Sequence, residues 1–346
     1  MKIVCVGDTY VTKEMMYEGI KPYLCEGDEV ELFFFGEVDK GAMFATVKAI
    51  ELGKRLELPV PEGLKEAVRD AELLIVHLCP VNRDLIEAAP CLKAVMSCRG
   101  GLENIDVESA GELGVIVSNN PAHNANAVAE FTIGMILSET RNICRSNFAL
   151  KNGEWRKVYP NTDISIREMQ DLTVGIVGYG SIGRLVAYKL CNFGCRILVA
   201  DPYAKAGEED YVTFVSLDEL LEQSDIVTLH ARTNGPIMTE REFAKMKDHS
   251  YLINSARSYL VDSDAFRKAM DSGKLIGAAV DVFETEPQIP QFYLEYDNIT
   301  ITNHRGGNTV NSYKDAPVFA INNYLGYKRG EELKFWANRN SMKNNI

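Results

Sequence analysis

Three residues in the C-terminal half of the chain have side chains suited to moving a proton beside an acidic substrate. Arg257 closes the run Leu252-Ile253-Asn254-Ser255-Ala256-Arg257. Glu286 lies in Asp281-Val282-Phe283-Glu284-Thr285-Glu286-Pro287, and His304 in Ile301-Thr302-Asn303-His304-Arg305-Gly306-Gly307. An arginine grips a carboxylate through its planar fork or polarises a carbonyl. A histidine exchanges a proton near neutral pH, and a neighbouring glutamate holds its ring in orientation. Taken singly these would be a solvated arginine, a loop acid and a structural histidine. Each, however, follows a strand-like run, and ligands of an open parallel sheet sit outside the carboxyl ends of its strands.

A second pattern supplies the partner for that chemistry. Thr173-Val174-Gly175-Ile176-Val177 reads as a strand running into Gly178-Tyr179-Gly180-Ser181-Ile182-Gly183. A helical stretch, Arg184–Asn192, and a strand, Arg196–Ala200, ending in Asp201, come next. This is G-x-G-x-x-G with its confirming context, a dinucleotide fingerprint. Gly178 permits the tight turn, Gly180 lets a pyrophosphate approach the backbone, and Gly183 brings helix and strand together. Amides at the helix start face the phosphates. Asp201 would accept the ribose hydroxyls and repel a 2′-phosphate, which favours NAD over NADP; Arg232, near the adenosine end, would soften that preference.

Two series of short apolar runs position these groups. The first comprises Lys2–Val6, Glu29–Phe35, Leu73–Leu78, Lys93–Ser97 and Val115–Ser118; the second comprises Thr173–Val177, Arg196–Ala200, Asp225–Leu229, Ser250–Asn254, Leu275–Val280 and Asn298–Thr302. Helical patterns lie between them, including Gly41–Leu56 with Met43, Val47, Ile50 and Leu56 at near-helical spacing, Asn124–Thr140, and Ala316–Tyr327. Strands alternating with helices predict parallel sheets and an α/β fold in two domains. A length of 346 residues favours the same number.

Composition excludes other roles. With 37 Lys plus Arg against 49 Asp plus Glu, the net charge of −12 argues against nucleic acid and anionic membranes as partners. No apolar window reaches a membrane-spanning length, and the N-terminal run Ile3–Val6 is too short for a signal peptide, so the expected location is the cytoplasm. The eight cysteines are scattered through apolar runs and read as reduced core residues; the five histidines show no metal-ligand spacing, so no metal is expected.

The motifs GYGSIG (178–183), NSAR (254–257), DVFETEP (281–287), NHRGG (303–307), NAVAE (126–130) and GLENID (101–106) resemble those of the D-isomer-specific 2-hydroxyacid dehydrogenase family, across residues 90–310. The resemblance implies a Rossmann NAD-binding domain at 119–307 and a smaller flavodoxin-like substrate domain made of 1–118 and 308–346. It implies hydride transfer between NAD and a 2-hydroxy/2-oxo acid, D-specific, with Arg257 on the substrate, His304 as acid and base, and Glu286 as its partner. Asp281 would help hold the nicotinamide carboxamide. His230, Ala231, Ala256 and Gly306 would line the cofactor, and Cys79, Arg99, Gly100 and Gly101 the substrate. The helix Asn124–Thr140 would cross between the domains and contribute to a homodimer.

Departures from the family pattern point to an altered substrate pocket. Ala256-Arg257-Ser258-Tyr259 stands where relatives carry Ala-Arg-Gly-Gly, Asn303 precedes the histidine in place of proline, and His230-Ala231-Arg232 replaces His-x-Pro. Arg99 falls in the substrate loop, where small residues are usual. With Arg305 and His77 it would suit a sugar acid or a phosphorylated hydroxy acid; facing solvent or a structural acid, it would not. A different class of function on the same fold is an NAD(H)-sensing regulator of the corepressor kind, which retains the same three residues.

Overall fold

The computed structural model describes residues 1–342 other than 52, 55–57, 162–165, 205, 206 and 208. The chain forms two compact units, one of Met1–Asn124 with Thr309–Ile346 and the other of Ala125–Asn308. Each is built on one parallel sheet, in agreement with the expected α/β class.

The first unit contains β1 (Lys2–Gly7), β2 (Glu29–Phe34), β3 (Leu73–Val76), β4 (Ala94–Ser97) and β5 (Ile116–Ser118), ordered β2-β1-β3-β4-β5. Ile3 stands opposite Val30 and Leu73, which fixes the register. Alternate residues feed two cores because side chains alternate across a strand. Val4, Val6, Leu74, Val76 and Val95 face Met43, Ile50, Leu85 and Ala110. Ile3, Cys5, Leu73, Ile75 and Met96 face Met16, Ile20, Ala320 and Ile321. With both faces covered the inner strands β3 and β4 and most of β1 are apolar, which is why they are legible as short continuous runs, whereas edge strand β2 carries Glu29 and Glu31.

The second unit contains β6 (Thr173–Val177), β7 (Arg196–Ala200), β8 (Thr213–Phe214), β9 (Ile226–Leu229), β10 (Ser250–Asn254), β11 (Leu275–Val280) and β12 (Ile299–Ile301). Their order, β12-β11-β10-β9-β6-β7-β8, reverses at β6, the doubly wound arrangement. The helices Ala125–Thr140 and Ser181–Cys191 supply Met135, Ile136, Val186 and Leu190 to one face. Leu220, Phe243, Phe266 and Met270 cover the other. A fully buried side chain such as Phe266 contributes about 1.5–3 kcal/mol.

Several expectations need correction. β8 is an edge strand of two residues, too short to give a periodic pattern. The final long helix is Val310–Lys328, beginning six residues before the expected Ala316 and running through Pro317. Thr309 caps it by accepting the Ser312 amide at 3.1 Å, and the proline ring packs against Gly19, whose missing side chain makes room for it. The helix expected at Gly41–Leu56 is Lys40–Glu51; Met43 and Ile50 are buried, and Leu56 lies outside the described residues. The cysteines are all free, but only Cys5, Cys79, Cys98 and Cys195 are core residues; Cys25, Cys91 and Cys144 are exposed. Among the described residues no helix is long and apolar enough to cross a membrane.

Candidate functional site

The glycine turn after β6 is shaped by contacts that forbid side chains. Gly178 has φ +95° and lies so close to the start of the loop after β9 that a Cβ would stand 2.6 Å from the Ala231 amide and 2.7 Å from the His230 carbonyl carbon. A Cβ on Gly183 would press into the Gly178 carbonyl oxygen. Gly180, by contrast, has nothing within 4 Å of where its Cβ would stand, so the turn is open on that side. The helix Ser181–Cys191 begins there with no side-chain cap and no acid in its first turn. Its first amides, at Ser181, Ile182 and Gly183, therefore present unscreened positive dipole to an anion. These features fit the pyrophosphate of a dinucleotide.

Asp201, at the end of β7, ties the same turn down. Its Oδ2 accepts the Tyr179 amide at 2.7 Å, and its Oδ1 accepts the amides of Tyr203 and Ala204 at 2.8 and 3.0 Å. Burial pushes its carboxyl up, but those amides and the nearby Arg184 outweigh that and hold it below the usual carboxylate value. It stays ionised, as the NAD reading requires. The Tyr179 ring is buried against Phe214, with centroids 5.2 Å apart. It is wall, not lining. His230 Nε2 lies 3.0 Å from Thr228 Oγ1, and its Nδ1 is buried without a hydrogen-bond partner among the described residues. Arg232 is exposed.

The three proton-handling candidates follow β10, β11 and β12, which are neighbours in the sheet. After β10, Asn254 clamps its own loop: its Oδ1 accepts the Ala256 amide at 3.1 Å, and its Nδ2 donates to the Arg257 carbonyl at 2.9 Å. Ser255 Oγ adds a 2.8 Å bond to Thr132 Oγ1. Arg257 is exposed, its Nη1 donating to the Ala256 carbonyl at 2.7 Å. After β12, His304 takes φ +53°, an uncommon conformation for a residue with a Cβ. Its Nδ1 stands 2.9 Å from Glu286 Oε2, while Glu286 Oε1 accepts the Phe283 amide at 3.0 Å.

The tight turn carrying His304 is held by Asp281, whose buried carboxylate accepts Thr302 Oγ1 at 2.6 Å and the amides of Arg305 and Gly306 at 2.9 Å each. Its carbonyl accepts the His304 amide at 2.9 Å. Asp281 is thus a positioning residue for the histidine loop, a role the sequence reading did not assign; nor did that reading see the Asn254 clamp. The alternation of strand and loop puts both residues at strand ends, and the fold turns their oxygens onto the loops that follow.

The expected substrate residues of the first unit follow β3 and β4. Cys79 is wholly buried, with Sγ 3.6 Å from the Pro80 carbonyl, and burial raises its thiol pKa well above the usual range. Its side chain belongs to the core. Gly100 packs against Pro121, and the Glu103 carboxylate folds over Gly101. Arg99 faces a structural acid rather than solvent: its side chain is only 14% exposed, and its Nη2 forms an ion pair with Glu103 Oε2 at 3.8 Å, too long for a hydrogen bond. Among the described residues no group of three or more His, Cys, Asp or Glu could hold a metal.

An anion cradle at the switch point of a doubly wound sheet, and a histidine paired with a glutamate on the same sheet, are the arrangement of an NAD-linked oxidoreductase. The chain belongs to the D-isomer specific 2-hydroxyacid dehydrogenase family, whose NAD binding domain matches residues 133–306. It is 33% identical over 293 residues to the glyoxylate reductase of Thermofilum pendens, covering 82% of this chain and 86% of that one. With the hydroxypyruvate reductase of Thermotoga maritima it shares 34% identity over 288 residues, 81% of this chain and 92% of that one. A D-lactate dehydrogenase structure from Treponema pallidum superposes with a TM-score of 0.75 at 23% identity, covering 97% and 99% of the two chains.

Proposed function

We propose that the protein transfers a hydride between NAD and a D-2-hydroxy/2-oxo acid pair, with Arg257, His304 and Glu286 as its chemical residues. The observation that carries this reading is the 2.9 Å contact between His304 Nδ1 and Glu286 Oε2, in the loops that follow β12 and β11, with β10, whose following loop carries Arg257, next in the sheet. NAD, when bound, supplies or accepts the hydride. Gly178, Gly180, Gly183 and the helix start would hold its phosphates, and Asp201 its ribose hydroxyls; His230, Ala231, Ala256, Asp281 and Gly306 complete the expected cofactor lining. Arg257 would bind the substrate carboxylate and polarise its carbonyl. His304, with Nδ1 engaged by Glu286, gives a proton at Nε2 to the substrate oxygen in reduction and takes one back in oxidation. Such general acid–base help is worth about 10²–10⁴ in rate.

The first unit is read as the substrate domain, residues 1–118 and 308–346, and the second as the NAD domain, residues 119–307. A sugar acid or a phosphorylated hydroxy acid as substrate would need Arg99 to leave Glu103, the structural acid 3.8 Å from it, so the ion pair argues for a substrate without a second charged group at that loop. A homodimer is supported by the exposed apolar run Ile143, Phe148, Leu150, Trp155 and Val158, a face that a second copy would cover. A cytoplasmic setting is supported by eight cysteines that are all free.

The test is NADH oxidation by the purified protein over a panel of 2-oxo acids. Turnover that falls by orders of magnitude in both Arg257→Ala and His304→Ala is expected. Tight NADH binding without turnover on any member would overturn the proposal in favour of NAD(H) sensing.

A further inference from the structure

Arg257 has a demanding part in hydride transfer and little support of its own. Its guanidinium is exposed, and among the described residues it makes one hydrogen bond, from Nη1 to the adjacent Ala256 carbonyl at 2.7 Å. A long, flexible side chain meets a substrate at a fixed angle only when the backbone beneath it is fixed.

That backbone is fastened on both sides of Arg257. Beyond it, the Leu260 carbonyl accepts the amides of Ile237 and Met238 at 2.8 and 3.0 Å. Asn254 braces the stretch between, through the Ala256 amide and the Arg257 carbonyl. Before it, the fastening is a pair of hydroxyls, Ser255 Oγ and Thr132 Oγ1, 2.8 Å apart. Thr132 is fully buried in the helix Ala125–Thr140, and Ser255 is nearly so.

Thr132 sets the direction of that bond. Its Oγ1 also lies 2.8 Å from the Val128 carbonyl, one helical turn back, and a carbonyl can only accept. The single hydroxyl proton of Thr132 goes there, so Ser255 is the donor of the pair and Thr132 Oγ1 its acceptor. Among the described residues Ser255 Oγ has no other acceptor. Loss of the Thr132 hydroxyl therefore strands a buried donor at the root of the arginine loop. The same helical turn lies against the histidine loop, where a Cβ on Gly306 would stand 3.5 Å from Phe131 Cδ1 and 3.8 Å from Val128 Cγ2. That loop has its own brace in the Asp281 carboxylate. The arginine loop has no carboxylate beneath it, and the hydroxyl pair is its hydrogen-bonded tie to the helix.

We infer that Thr132 is a positioning residue for Arg257: through Ser255 it fixes the loop at the angle from which the guanidinium meets the carboxylate of a 2-oxo acid. That Arg257 meets a substrate rests on the hydride-transfer reading; that Thr132 holds its loop does not.

Two measurements on the full chain separate those claims. Thr132→Val keeps the shape of the side chain and removes the hydroxyl, and Thr132→Ser returns it. Hydrogen exchange without NADH, read by mass spectrometry, follows the bonded amides of Ala256, Leu260 and Val261. Their exchange is expected to quicken about 10-fold in Thr132→Val and to slow again in Thr132→Ser, the size of one stranded buried donor. The amides of His304, Arg305 and Gly306, held by Asp281, are expected to keep their rates. Separately, kcat/KM for whichever 2-oxo acid the parent turns over is expected to fall about 10-fold in Thr132→Val, chiefly through a higher KM, with NADH affinity within about threefold. Thr132→Ser should recover most of it. Ser255→Ala, which removes the donor, should loosen the same amides and serves should Thr132→Val fold poorly. Unchanged exchange in the folded variants overturns the inference. So does exchange that quickens equally in both loops, which would mark a general loss of packing, and so does quickened exchange with kcat/KM unaltered. If the parent turns over no 2-oxo acid, the hydride-transfer reading fails, and the exchange rates still decide whether Thr132 holds the loop.

Discussion

His304 and Glu286 are joined side chain to side chain at 2.9 Å, and the other oxygen of that carboxylate is anchored on the Phe283 amide at 3.0 Å. The glutamate is therefore itself held while it holds the histidine. Glu286→Gln keeps the size of the side chain but can turn an N–H toward the ring, so the orientation of His304 is lost. Turnover is expected to fall about 10- to 100-fold while NADH affinity stays within about threefold, as for an orienting partner of a general base. Steady-state NADH oxidation and fluorescence titration check the two halves. Full turnover in the variant would remove Glu286 from the mechanism.

Asp281 makes a different prediction from the one its family resemblance suggests. Thr302 Oγ1 and the amides of Arg305 and Gly306 use both of its oxygens. Asp281→Ala would leave those donors without an acceptor beneath the His304 turn, costing about 2–4 kcal/mol by the usual penalty for unpaired buried groups. Urea unfolding without NAD measures this directly. A carboxylate that served only the nicotinamide would, on removal, weaken NADH binding and leave the unfolding midpoint where it was.

The contribution of His230 to stability should fall as the medium is acidified from neutral, while Glu139, whose carboxyl burial pushes up to about 7, works in the opposite direction. Burial lowers the His230 pKa to about 3, so the folded protein keeps the ring neutral. The unfolded chain takes up a proton there near pH 6.5. Protons thus bind this residue first in the unfolded state, and its contribution, complete above about 6.5, is lost progressively as pH drops toward 3. At pH 5 the loss is about 2 kcal/mol from this residue. His123, lowered to about 4, acts in the same direction. Urea unfolding of the parent and of His230→Gln at pH 7 and pH 5 should show a change in stability that differs between the two by about 2 kcal/mol. An unchanged slope in that variant would mean that the ring is not held neutral.

The sheets were legible because both faces of each are covered, which makes every central strand a continuous apolar run; β8, at an edge and two residues long, had no such pattern. The glycine turn was legible because backbone crowding leaves glycine alone at positions 178 and 183. The His304–Glu286 pair was legible through motif resemblance, since 18 residues separate the two. What the sequence hid were polar side chains whose partners lie across the sheet. Asp8 and His77 stand 69 residues apart, and neither has a spacing that announces the other. Cys79 shows the converse: a position matched to a substrate loop whose side chain nevertheless fills the core.

The two glycines of the cradle that differ most in surroundings separate folding from cofactor binding. A methyl group on Gly183 would meet the Gly178 carbonyl oxygen, part of the backbone, which cannot step aside without unmaking the turn. Gly183→Ala is expected to destabilise the protein by about 3 kcal/mol or more, as overpacking against fixed atoms does. At Gly180 a methyl would meet nothing within 4 Å, and the backbone φ of −78° suits alanine. Gly180→Ala should therefore fold with a stability within about 1 kcal/mol of the parent, the cost of a poorer helix N-cap. Its methyl group would stand where a pyrophosphate must approach the first amides of the Ser181–Cys191 helix. NADH affinity is expected to fall at least 10-fold, about 1.4 kcal/mol or more. Thermal unfolding and NADH fluorescence titration on both variants check the contrast. Normal affinity in a folded Gly180→Ala protein would show that the open side of the turn is not where the phosphates lie.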